Sequence, residues 1–247
     1  MNPCELLEKY NFQLFADQIH VWSVEIESRP TTFHYSCVLD NEQQQKMSLF
    51  HTEQLKNSYL IRHYWLRHIL SYYLGIYPEE IHFKYNPYDK PYLVMPYTLE
   101  YLYFNISYSN NHILYAITKN LPIGIDLEYI QSRFFADIDA KLVFSCKEQL
   151  IFNQLNEEKE KNLSFYNTWV RKEALLKAMG TGLSISPSDI SLSIQSKMPS
   201  IQILSTQWTD TLTGWLINLF SIDEYYVGAL AVQKKNIKDI LLYKIKI

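Results

Sequence analysis

Two glycine stops divide this chain. From Glu53 to Tyr73 apolar residues recur with a period near 3.6, which puts Ile61, Trp65, Ile69 and Tyr72 on one stripe and leaves Arg62 and Arg67 off it. Gly75 follows at once, and glycine ends a helix readily because it takes the left-handed turn without a Cβ clash. The pattern returns from Leu163 to Met179, where Gly180-Thr181-Gly182 stops the run. Before the first long helix stand a strand, His20 to Ile26, and a shorter helical stretch, Asn41 to Phe50. After it come short strand-like runs, IHFKY, YLVM, YFNISYS and ILYAITK. Before the second stand IGIDLEYI and helical stretches near Ala136 to Phe144 and Lys147 to Leu155. The alternations Ile190, Leu192, Ile194 and Trp215, Ile217, Leu219 follow it. The order strand, helices, several strands thus occurs twice without an evident sequence repeat. We expect an α+β fold of two similar lobes, residues 20–120 and 121–247, joined near Asn120-Leu121-Pro122 with a cleft between them. Residues 1–19 read as an N-terminal extension.

Charge excludes some functions. With 23 basic and 26 acidic residues and a net charge of -3, the chain has no general affinity for polyanions, so nucleic acid is not an expected partner. Any phosphate site must be a local cluster of Lys and Arg. Cys4, Cys37 and Cys146 are odd in number and lack a C-x-x-C pattern, which argues against a disulfide framework or structural zinc and fits a reducing compartment. His63 and His68 are five apart, on different faces of a helix, and are not a zinc pair. No secretory signal and no membrane-length apolar run is present, so a cytoplasmic protein is expected.

The chemistry concentrates in two segments. In Ile123-Gly124-Ile125-Asp126-Leu127-Glu128-Tyr129 apolar residues alternate with carboxylates, so on a strand Asp126 and Glu128 share a face about 7 Å apart. Taken alone, this is equally a solvent-facing strand; a site becomes the better reading if a cation neutralises the like charges. The second segment, Trp169 to Leu183, carries Glu173 and Lys177 four apart on one helical face, with Lys172 beside Glu173. A surface i,i+4 pair explains that spacing, but not the flanking tryptophan or the Gly-Thr-Gly stop. Magnesium binds through a few carboxylates plus substrate phosphates, and Asp126, Glu128 and Glu173 can supply those oxygens while Lys172 and Lys177 meet the phosphates.

Together, G-x-D-x-E at Gly124, Asp126 and Glu128 and W-x-x-K-E-x-x-x-K-x-x-G-x-G-L at Trp169, Lys172, Glu173, Lys177, Gly180, Gly182 and Leu183 resemble the 4′-phosphopantetheinyl transferases, specifically the monomeric two-lobed type serving peptide and polyketide synthetases. Asn105-Ile106-Ser107-Tyr108-Ser109 is similar to that family's N-I-S-H-S, Lys90-Pro91 to its K-P turn, and Phe144 with Glu148 to residues before its long helix. The resemblance implies two pseudo-symmetric lobes with coenzyme A between them as co-substrate. It also implies Mg²⁺, with Mn²⁺ as a substitute, on Asp126, Glu128 and Glu173. Glu173, or a water it orients, would act as the base for a carrier-protein serine and Lys177 would stabilise pyrophosphate charge. Coenzyme A contacts would come from Lys46, Arg67, Lys90, Pro91, Ser107, Tyr108, Lys172 and Lys177. The partners would be apo acyl or peptidyl carrier domains, with no membrane, and the protein a monomer. Phe134 and Phe135 are candidates for the carrier-docking surface.

Two positions depart from that pattern. Tyr108 stands at the usual histidine and carries no positive charge near neutral pH; Ser58 stands where an arginine is often found, with Lys56 nearby and Arg62 one turn on. A degenerate, non-catalytic binder of coenzyme A or carrier would tolerate both changes but would have no need to keep three carboxylates and Lys177. Another Mg²⁺-dependent phosphoester enzyme, such as a diphosphate hydrolase, would leave the segment from Trp169 to Leu183 unexplained.

Overall fold

Each lobe is built on three antiparallel strands backed by one long helix. The computed structural model describes residues 7, 13–26, 38–94, 101–131, 137–192, 201–203, 214–233 and 237–247. The first lobe comprises β1 (Gln18–Glu25), α1 (Asn41–Ser48), α2 (Glu53–Leu74), a 3₁₀ turn at Pro78–Glu80, the hairpin β2 (Phe83–Tyr85) and β3 (Pro91–Leu93), then β4 (Leu102–Ser109) and β5 (His112–Lys119). The second has β6 (Ile123–Tyr129), α3 (Asp137–Val143), α4 (Cys146–Phe152) and α5 (Glu158–Met179). A 3₁₀ turn at Pro187–Asp189, the pair β7 (Ile190–Leu192) and β8 (Ile201–Ile203), then β9 (Trp215–Ser221) and β10 (Tyr226–Gln233) complete it. The strand orders β1-β5-β4 and β6-β10-β9 correspond element by element, as the twofold order of the sequence suggested.

The C-terminus departs from the expected division. A final strand, β11 (Asp239–Lys246), leaves the second lobe and pairs in parallel with β1, so the first sheet reads β11-β1-β5-β4. Residues 239–246 therefore belong to the first lobe's sheet rather than to a lobe running from 121 to 247. Leu7 and Leu14, in the stretch read as an extension, are buried in the first-lobe core.

The central strands β5 and β10 are buried on both faces, which is why they read as nearly unbroken apolar runs. One face of the first sheet packs on α2 through Trp22, Tyr115, Ile61 and Trp65. The opposite face, with Ile19, Val21, Leu114 and Ala116, meets Ile125, Leu127 and Leu230 of the second sheet, and α5 covers that sheet's far side. Both long helices span 22 residues and end on a left-handed glycine, Gly75 at φ 66° and Gly180 at φ 71°.

Eight residues before each of those glycines lies a fully buried cation, Arg67 in α2 and Lys172 in α5. Arg67 donates to Asp40 (2.6 Å), Gln43 (2.9 Å) and the carbonyls of Pro78 (2.9 Å) and Ile81 (2.7 Å). Lys172 spends its three protons on Glu148 (2.5 Å) and the carbonyls of Val143 (2.7 Å) and Pro187 (2.9 Å). Each ties its long helix to the proline of the following 3₁₀ turn and to the capping box of a short preceding helix, Asp40–Gln43 or Ser145–Glu148. Burial lowers the Lys172 pKa to about 8, while the nearby Glu148 carboxylate opposes that shift. Both cations were expected at coenzyme A phosphates, and that expectation is corrected: they are structural mates, inaccessible to ligand.

Removing one partner of such a pair leaves a buried charge uncompensated. Lys172→Ala should therefore destabilise the protein by about 3–5 kcal/mol in urea unfolding, and Lys172→Met combined with Glu148→Gln should recover part of the loss. An unchanged midpoint for the single variant would refute the structural role.

Candidate active site

The lobes meet where the free edge of β6 faces the free edge of β4, and side chains join the two strands. Asn105 Oδ1 accepts from the Ile125 amide (2.8 Å), Ser107 Oγ from Leu127 (3.2 Å) and Ser109 Oγ from Tyr129 (2.9 Å). Alternate residues of β4 thus serve alternate amides of β6, as the period of two requires. This satisfies an edge that would otherwise carry unpaired donors at a buried interface. Asn-x-Ser-x-Ser is therefore an interlobe seam, and the polar run at every second position of a largely apolar strand was its visible signal.

The same hydroxyls orient the acids. Ser107 donates to Asp126 Oδ1 at 2.9 Å and Ser109 to Glu128 Oε2 at 3.3 Å. Across β6 the helix α5 presents Trp169, Glu173 and Lys177 at successive turns. Trp169 Nε1 donates to Glu128 Oε1 at 3.1 Å, and Lys177 Nζ reaches Asp126 Oδ1 at 2.6 Å and Ser107 Oγ at 3.1 Å. Gly124 permits this approach. A Cβ there would overlap the Ala174 carbonyl oxygen and the Ala178 amide nitrogen of α5, and would lie 2.9 Å from the Ala178 Cα.

Electrostatics mark the cluster as short of positive charge. Burial first, and then the Asp126 and Glu128 charges, raise the Glu173 pKa to about 7, with Lys177 countering only in part. Burial, and then the Asp126 charge, also raises Glu128, against hydrogen bonds from Trp169 and Ser109. Asp126 Oδ2 and Glu173 Oε1 are buried without a hydrogen-bond partner. Buried acceptors of this kind fit a hard cation. Among the described residues no set of three or more His, Cys, Asp or Glu side chains is arranged as a ready-made metal site, and Lys177 provides the ion-pair partner of Asp126. By donor chemistry the carboxylates suit magnesium; their arrangement here is that of an acid cluster paired with lysine.

The remaining expected contacts divide. Lys90 is turned inward, its ammonium donating to the carbonyls of Ile123 (3.1 Å), Lys177 and Ala178 (3.2 Å), where it caps the C-terminal end of α5. Desolvation lowers its pKa to about 8. Lys90 thus ties the lobes together instead of offering its charge to a ligand, a second correction, and Pro91 opens the adjoining strand β3. The Ser107 hydroxyl is committed within the seam. Lys46 lies over the Tyr85 ring and near Asp89 (3.5 Å) and Glu42 (3.7 Å), partly open to solvent. Tyr108 is about half exposed beneath Arg62. Phe134 and Phe135 lie outside the described residues. Sequence reasoning did not foresee the Trp169 indole on Glu128 or the inward turn of Lys90. No helix among the described residues is long and apolar enough to cross a membrane.

Comparison with known proteins bears on the same segments. Residues 122–230 match the sequence profile of the 4′-phosphopantetheinyl transferase superfamily. A 4′-phosphopantetheinyl transferase of Bacillus subtilis is 30% identical over 199 residues, covering 80% of this chain and 84% of that protein. The 4′-phosphopantetheinyl transferase HetI of Nostoc sp. is 27% identical over 227 residues, 90% of each chain. A holo-ACP-synthase structure from Plasmodium yoelii covers 47% of this chain and 95% of its own, with 22% identity and a TM-score of 0.37.

Proposed function

Because the chain belongs to the 4′-phosphopantetheinyl transferase family, we propose that it moves the phosphopantetheine arm of coenzyme A onto a serine of an acyl or peptidyl carrier protein. The observation that carries this reading is the acid cluster, three carboxylates with two buried, unpartnered oxygens beside a single lysine. Asp126, Glu128 and Glu173 would hold Mg²⁺, which supplies positive charge at the pyrophosphate of the donor.

The protein groups have separate tasks. The serine Oγ forms a bond to the β-phosphorus of coenzyme A as the bond from that phosphorus to the bridging oxygen breaks. Glu173, itself or through a water it orients, takes the serine proton. Lys177 lies beside Asp126 and would stabilise the charge gathering on the departing adenosine 3′,5′-bisphosphate. Ser107, Ser109 and Trp169 keep the carboxylates aimed, and positioning is most of what phosphoryl-type transfer asks of a protein.

Incubation with coenzyme A, Mg²⁺ and an apo carrier should add the mass of one phosphopantetheine to the carrier serine. Absence of that gain across apo carriers from fatty-acid, polyketide and peptide systems would reject the proposal.

A further inference from the structure

The end of α5 is held by the other lobe. A helix leaves its last four carbonyls without partners inside it. At the exit of α5 three carbonyls receive donors from the β2–β3 hairpin of the first lobe. Lys90 Nζ reaches Lys177 at 2.5 Å and Ala178 at 3.2 Å, and Asn86 Nδ2 reaches Gly180 at 2.6 Å. Asn86 is itself fixed, since its Oδ1 accepts from the Tyr88 and Lys90 amides, both at 2.9 Å. Gly180 admits the hairpin: beyond its left-handed φ of 71°, a Cβ there would stand 3.0 Å from Asn86 Nδ2 and 3.3 Å from Lys90 Cδ. An ammonium at a helix C-terminus also meets the negative end of the helix dipole.

The same ammonium donates at 3.1 Å to the carbonyl of Ile123, the first residue of β6. Lys90 therefore bonds both elements that carry the acid cluster, β6 with Asp126 and Glu128 and α5 with Glu173 and Lys177. Between them, Gly124 packs on the backbone of α5 at Ala174 and Ala178. Apolar contact is non-directional, so it opposes separation and leaves sliding to be set by directional bonds. Two such bonds, Lys177 to Asp126 and Trp169 to Glu128, lie inside the cluster and loosen when the carboxylates take a cation and Lys177 a pyrophosphate. The bonds of Lys90 are to backbone carbonyls and do not depend on the ligand.

We propose that Lys90, held by the Asn86 turn, is a positioning residue for transfer: it fixes the height of α5 against β6, and through it the reach of Lys177 to the donor pyrophosphate. This rests on the transfer reading above. The link is short. The Lys177 carbonyl that accepts from Lys90 and the side chain whose ammonium meets Asp126 hang from one α-carbon. Asn86 acts at one remove, holding the Gly180 carbonyl and the Lys90 amide with a single side chain.

A double-mutant cycle tests it, with kcat/KM for coenzyme A read by carrier mass gain at a temperature where circular dichroism shows each variant folded. Lys90→Met keeps the stem and removes the ammonium. It should lower kcat/KM by about 10- to 50-fold, in line with a displacement below the roughly 1 Å that costs about a hundredfold. In a Lys177→Met background the same change should cost less than about threefold, because the group it positions is gone. A merely structural lysine, or one that touches the donor itself, costs the same in both backgrounds, and equal losses would overturn the proposal. Asn86→Asp keeps the acceptor of the turn and removes the donor to Gly180. It should lose about 3- to 10-fold with Lys177 present and have no effect without it, and it decides the matter if Lys90→Met does not fold. A wild type that modifies no carrier would remove the transfer reading, and this proposal with it.

Discussion

Gly124→Ala is expected to lose transfer activity by about 100-fold or more and to destabilise the protein by about 3 kcal/mol, although it adds one methyl group. The added carbon would point into the backbone of α5 at Ala174 and Ala178. Backbone cannot rotate away as a flexible side chain can, so the helix must withdraw from β6. Asp126 and Glu128 ride on β6 while Glu173 and Lys177 ride on α5, and the withdrawal divides the cluster between two separating bodies. A misplacement of about 1 Å is enough for the activity loss. Gly75→Ala is the control. Its Cβ would meet nothing within 4 Å, and only the left-handed φ of 66° is strained. That variant should be less stable by about 1–2 kcal/mol with kcat unchanged. Urea unfolding and carrier mass gain, measured on both, decide the matter; a Gly124→Ala protein as stable and active as the wild type would remove the packing argument.

Asp126→Asn should reduce transfer by about 10²- to 10³-fold while the fold persists. The exchange keeps size but takes away the charge that Lys177 pairs with at 2.6 Å, and it removes one of the two acids that raise Glu173. The carboxamide can still accept from Ser107, so the seam holds. The second readout is independent of turnover: Mg²⁺ with coenzyme A should raise the melting temperature of the wild type and leave that of Asp126→Asn unmoved. An equal shift in both proteins would take Asp126 out of the metal-binding set.

The acid cluster was legible in sequence because its geometry is local. Two carboxylates at a spacing of two on a strand, and a glutamate and lysine at a spacing of four on a helix, declare their shared faces without tertiary knowledge. The glycine stops were legible for the same reason, and they gave the order of both lobes. The fates of Arg67 and Lys172 were hidden. A basic residue beside an amphipathic stripe looks alike whether it faces water or lies within hydrogen-bond reach of an acid from a different helix, and Asp40 and Glu148 are more than twenty residues away in the chain. Lys90 was misread similarly, since its acceptors are carbonyls at the far end of another lobe's helix. The Asn-x-Ser-x-Ser run was visible as a motif, but its task emerged only when β4 and β6 were seen edge to edge.

The parallel pairing of β11 with β1 also bears on how the chain is made. β1 and its neighbour are about 220 residues apart in the chain, so at ordinary elongation rates one side of β1 waits on the order of ten to forty seconds for its partner. During that interval the open edge can accept a strand from a neighbouring nascent chain. A stop codon before residue 239 would make the vacancy permanent, so a truncated product with every carboxylate of the acid cluster intact should still accumulate as aggregate.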